Sequence, residues 1–127
     1  MSGPMVCIDV SEIREGKFVE LVPLMKELVD FVEANEPRPI AYQMFMDEDS
    51  RTMTVVQVHP DSASMEFHMH AAAAIFPRFS PLLTLSRIDL YGDPSDELVR
   101  LMRQKGQMLG GAPVAIHRQV AGVTRFG

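Results

Sequence analysis

Tryptophan is absent from this chain, and cysteine occurs once, as Cys7. A lone cysteine rules out a disulfide within the chain and suits a reducing compartment, so a cytoplasmic location is expected. Basic clusters are missing too: no run of Lys and Arg exceeds two residues, and the formal net charge is −5. Nucleic-acid binders need clustered cations to displace counterions, so neither nucleic acid nor an anionic membrane is an expected partner. Long apolar runs are also lacking. The longest, Ala71 to Phe76, falls far short of the ~20 residues that a membrane span requires. The start, Met1-Ser2-Gly3-Pro4, has no basic region followed by an apolar one and does not read as a signal peptide.

What is present fits one domain, residues 1–127. The chain is 46% hydrophobic and 23% charged, enough to bury a core without disulfides or metal. Ten methionines supply flexible, polarizable filling for cores and adaptable pockets.

Alternation predicts a first strand over Met5 to Val10, with Val6, Ile8 and Val10 on one face and Met5, Cys7 and Asp9 on the other. Ser11 to Gly16 reads as a polar connection. Phe18, Leu21, Val22, Met25, Leu28, Val29 and Val32 then recur at helical spacing. Pro23 either starts or kinks that helix, and Pro37 and Pro39 stop it. Ile40 to Met46 and Thr52 to His59 read as a hairpin. A second helix, capped by Asp61, runs to about Ala74. Thr84 to Tyr91 is a fourth strand. A third helix is expected from Pro94, capped by Asp93, and ended by Gly110-Gly111. Val114 to Val120 is a fifth strand.

The order is β-α-β-β-α-β followed by α-β. The first six elements are the split βαβ pattern of a ferredoxin-like α+β fold with an antiparallel sheet, and right-handed crossovers put both main helices on one face. The other face is not polar. The second strand carries Ile40, Tyr42, Met44 and Met46 on one side but Ala41 and Phe45 on the other. An apolar sheet face marks an interface, which the third helix covers in part or a symmetric partner covers more simply. A homodimer is therefore expected.

The segment Glu36-Pro37 followed by the strand Ile40-Ala41-Tyr42-Gln43-Met44-Phe45, and the stretch from Val56 through His59-Pro60-Asp61 to Glu66-Phe67-His68-Met69, resemble the antibiotic biosynthesis monooxygenase-like family of the dimeric α+β barrel superfamily. Residues 5–91 carry the likeness. Members similarly carry an acid-to-His spacing on the helix after the third strand, and His68 matches that position. The resemblance implies a dimer with face-to-face sheets and a small pocket between each sheet and its helices. The implied activities include cofactor-free oxygenation of phenolic or quinol substrates; relatives include isomerases, haem-degrading enzymes and proteins without known activity. The haem-degrading branch uses a Trp, which this chain lacks, so no haem is expected.

His68 is the principal candidate catalytic residue. It stands among Met65, Met69, Ala72, Ile75, Phe76 and Phe79, and should point toward the sheet. There it is either a general base, with an ordinary pKa near neutrality, or a core histidine bonded to a carbonyl or carboxylate. His70 lies about 200° further around the helix, so the two do not make a metal pair on one face, and no metal or other cofactor is expected. Tyr42 and Tyr91 could each present a hydroxyl to a pocket; Arg87 and Asp89, two apart on one side of the fourth strand, could form a polar pocket floor or pair with a neighbouring strand. Cys7 reads as a small buried hydrophobe. Two functions remain open: a cofactor-independent monooxygenase-like protein or isomerase acting on an aromatic or enolisable small molecule, or a non-catalytic binding or interaction dimer of the same fold.

Overall fold

Five strands and three α-helices follow one another in a computed structural model that describes residues 3–125. They are β1 (Met5–Ile13), α1 (Phe18–Asn35), β2 (Ala41–Asp47), β3 (Thr52–His59), α2 (Ser62–Ala71), β4 (Leu83–Tyr91), α3 (Asp96–Met108) and β5 (Val114–His117), with a short 3-10 turn at Phe76–Phe79. The sheet order is β2-β3-β1-β4-β5. All pairings are antiparallel except β4 with β5, which run parallel. The expected α+β ferredoxin-like core is therefore present, with α3 and β5 added at the β4 edge.

Register sorts the side chains into two faces. Cys7 stands opposite Gln57 and Leu90, Asp9 opposite Val55 and Ile88, and Tyr42 opposite Gln57. These residues face the helices. Leu21, Leu24, Leu28 and Val32 of α1 and Met65 and Met69 of α2 pack with Cys7, Val55 and Leu90 into one core. α3 packs on α2, β4 and β5, so it lies on the helical side too and leaves the other face open. Val6, Ile8, Val10, Val56 and Val58 on that face stay partly exposed. An irregularity in register after Val10 leaves Ser86 and Arg87 both exposed; the extra residue rephases β4 so that Leu83, Leu85, Ile88 and Leu90 all turn inward.

Several expected boundaries move. β1 continues past Val10 to Ile13, because Ser11 and Ile13 are buried opposite Leu85 and Leu83. Pro23 sits within α1; it cannot donate to the carbonyl one turn back, but Val19 there is 85% exposed, so water can take that bond. α2 stops at Ala71 and gives way to the 3-10 turn. Asp61 does cap α2, accepting from the Ser64 N–H at 2.9 Å. Asp93 does not cap α3. The helix starts two residues later than expected, and Ser95 accepts from the Leu98 N–H at 3.0 Å. β5 ends at His117. No helix among the described residues is long and apolar enough to cross a membrane.

Candidate functional site

The helical spacing that placed His68 among methionines does aim it at the sheet: its side chain is fully buried. Glu36 meets it from the end of α1. The Glu36 backbone N–H still bonds to the Val32 carbonyl, but its own dihedrals are extended, so the chain leaves the helix there and the carboxylate turns inward. Nδ1 of His68 lies 2.8 Å from Oε1 and 2.9 Å from Oε2 of Glu36. A carboxylate only accepts, so Nδ1–H donates and Nε2 keeps the lone pair. Burial lowers the His68 pKa, and this outweighs the opposing pull of Glu36. The ring is thus neutral at pH 7. Its Nε2 is buried and has no hydrogen-bond partner among the described residues.

His59 provides a contrast inside the same core. Both of its nitrogens are engaged, Nδ1 with Ser64 Oγ at 2.7 Å and Nε2 with Gln57 Oε1 at 2.9 Å. Burial, then the nearby His68, push its pKa down to about 4. His59 is a satisfied structural histidine; His68 is half satisfied. Gln57 Nε2 is a second buried atom without a partner among the described residues.

Tyr42 and Phe76 flank the His68 ring, with centroids 4.8 and 5.6 Å away. Burial, then Asp9 and Glu36, push the Tyr42 hydroxyl's pKa up, so it stays a donor. Tyr42 and Phe76 also line an interior cavity of about 20 Å³ together with Asp9, Ser11, Met44, Met53 and Lys105. Tyr42 and Met44 further line a surface groove of about 580 Å³ between α1 and the β2 edge. The cavity touches the neighbours of His68 and not the His68 ring itself. Cys7 is buried, and desolvation with the adjacent Asp9 raises its thiol pKa, so it is no nucleophile.

The remaining candidates form a separate cluster. Arg87, Asp89 and Tyr91 project from the open side of β4, across the sheet from His68 and Tyr42. Arg87 forks onto Asp89 at 2.7 and 2.9 Å, and His117 Nε2 lies 2.8 Å from Asp89. These partners hold the Asp89 pKa down to about 2. Tyr91 stacks on His117 at 4.4 Å. The structure therefore brings Tyr42 to His68 but separates both from Arg87, Asp89 and Tyr91.

Sequence reasoning missed three buried polar residues. Glu36 entered only through the family likeness. Asp9 follows Met5 and Cys7 along the inward face, and an acid in an apolar row was a usable signal. Lys105 stands in the last turn of α3, where a cation ordinarily complements the helix dipole from solvent, yet it is 7% exposed. It follows Leu98, Leu101 and Met102 at helical spacing, which was the signal.

No family model and no curated protein matches the chain. Solved structures do match its fold. MupZ from Pseudomonas fluorescens superposes with a TM-score of 0.76 at 16% identity, over 98% of this chain and 91% of its own. A protein from Shewanella oneidensis gives 0.62 at 22% identity, over 73% of this chain and 93% of its own. A candidate antibiotic biosynthesis monooxygenase from Caulobacter crescentus gives 0.56 at 18% identity, over 74% and 92%. The likeness to MupZ thus extends through α3 and β5, and the chain has the ferredoxin-like fold of the antibiotic biosynthesis monooxygenase-like proteins.

Proposed function

We propose that this chain is a small cofactor-independent monooxygenase-like enzyme in which His68 takes a proton from an aromatic or enolisable small molecule, as its resemblance to the antibiotic biosynthesis monooxygenase-like family implies. One observation carries the reading: His68 Nε2 is a buried lone pair with no partner among the described residues, while Nδ1 is fixed by Glu36. Leaving a buried polar atom unbonded costs roughly 1–3 kcal/mol, a cost that a bound substrate proton would offset. Glu36 sets the tautomer and would stabilise the imidazolium as it forms. Deprotonating a phenol leaves an electron-rich anion that dioxygen can oxidise to a quinone, one oxygen atom entering the ring and the other leaving as water, with all the electrons coming from the substrate; for an enolisable substrate, returning the proton to another carbon would be isomerisation.

The protein in this reading is a cytoplasmic homodimer joined through the open sheet face. Partly exposed Val6, Ile8, Val10, Val56 and Val58, with Phe45 at 52% exposure, support that surface. A second reading, a non-catalytic binding or interaction dimer, is favoured by the smallness of the interior cavity, about 20 Å³, and by its separation from the His68 ring.

Oxygen uptake with a panel of phenols and quinols tests the proposal. His68→Gln keeps an amide donor for Glu36 but removes the base, and should lower turnover by about 10²- to 10⁴-fold with the fold intact. His68→Phe is less informative, because it strands the buried Glu36 carboxylate. Unchanged turnover in His68→Gln would refute the reading.

A further inference from the structure

α3 lies outside the β-α-β-β-α-β core, yet it places a lysine inside it. Lys105 Nζ sits 3.4 Å from Asp9 Oδ2 and 4.8 Å from the centroid of the Phe76 ring. Both charged side chains are almost fully buried, at 8% and 3% exposure. An ammonium has three donors, and among the described residues one of them makes a single long bond. Such a pair is a poor way to stabilise a core, since desolvating two charges costs several kcal/mol per ion. Its surroundings suggest another use. Lys105 and Asp9 line the interior cavity with Ser11 and Tyr42, and its volume of about 20 Å³ suits one oxygen-sized group. Phe76, under the ammonium, is also the ring set edge-on to His68.

We propose that Lys105 is the oxygen-binding residue of the site: its ammonium receives the phenolate or enolate oxygen of the substrate. It would thereby select hydroxyaromatic and enolisable carbonyl compounds over apolar ones. This rests on the reading of His68 as the base. The substrate O–H or C–H bond breaks, the proton passes to His68 Nε2, and the electron pair stays on the substrate, its charge held on the oxygen beside Lys105. Glu36 offsets the imidazolium. Asp9 keeps Lys105 aimed while the site is empty. The substrate body enters from the groove between α1 and β2; Met44, which lines both spaces, moves aside, and so does Tyr42, which lines both and packs against the His68 ring, so that the cavity reaches Nε2.

p-Nitrophenol is a direct probe, because its absorbance separates phenol from phenolate. Bound to the full-length protein, its pKa should fall by about one pH unit, as expected beside an unlike charge. Lys105→Met keeps most of the stem's packing and should abolish that fall. Asp9→Asn releases Lys105 from its carboxylate and should deepen it. Calorimetry in two buffers follows the proton. The wild type should retain it on His68, whereas His68→Gln should release it to buffer. An equal bound pKa in wild type and Lys105→Met overturns the role of Lys105 and leaves that of His68 standing. Proton release by the wild type, with the Lys105→Met effect intact, overturns His68 alone. No binding by the wild type overturns both. If Lys105→Met does not fold, an unchanged bound pKa in Asp9→Asn is decisive against the proposal.

Discussion

Protonating either buried histidine works against the fold, and this gives a pH dependence with a definite sign. The pKa of His59 falls from 6.5 to about 4, and that of His68 also falls, in both cases chiefly because burial penalises the imidazolium. Below pH 6.5 the unfolded chain therefore binds more protons than the folded one. The histidine contribution to stability is complete above that pH and is lost as pH drops toward 4. Each histidine contributes a slope of up to about 1.4 kcal/mol per pH unit. Asp89, held at about 2 against an ordinary 3.8, loses its contribution only in a lower window. Urea denaturation from about pH 7.5 to pH 5 should show the slope, and His68→Gln should make it shallower. A flat profile in the wild type would contradict the burial of both rings. At this scale His68 was legible from spacing alone, since a single polar residue in an apolar stripe must face the core. Its partner was not, because Glu36 lies beyond the end of another helix, where no periodicity reports direction.

Where α3 begins depends on which of two capping residues wins. Asp93-Pro94-Ser95 contains both, and an acid before a proline is a strong helix start in sequence. The structure gives the role to Ser95, which accepts from Leu98 N–H and also bonds to Glu66 at 2.9 Å, while its own N–H donates to Ser62 at 3.0 Å. These bonds tie the start of α3 to α2, a tertiary preference that no local signal contains. Ser95→Ala should lower stability by about 1 kcal/mol or somewhat more, and Asp93→Ala, at an exposed position, should leave the denaturation midpoint unchanged. The reverse result would return the cap to Asp93. The same helix shows how type can mislead: a lysine near a helix C-terminus normally complements the dipole in solvent, but the stripe of Leu98, Leu101 and Met102 carries Lys105 inward.

Across the whole molecule, strand order and helix placement were readable because alternation and crossover handedness leave few options. The two-sided apolarity of the strands was readable as well, and the structure adds that α3 does not cover the open face. What alternation could not tell was which polar residues share a face with which others. Arg87, Asp89 and Tyr91 joined the expected site because they lie in a strand beside the core, and only register shows them across the sheet from His68. If the open face joins two copies, light scattering should give twice 14.2 kDa, and Val56→Asp should shift the mass toward one chain. A mass of 14.2 kDa for the wild type at micromolar concentration would contradict the dimer.

One atom, Nε2 of His68, separates a base from a core histidine, and nitrogen-15 NMR of the histidine side chains reads it directly. At pH 7 the His68 signals should be those of a neutral ring protonated at Nδ1, with Nε2 bare, and adding p-nitrophenol should protonate Nε2. An Nε2–H tautomer, or an imidazolium already present at pH 7 in the free protein, would contradict the assignment of His68 as a base held ready by Glu36.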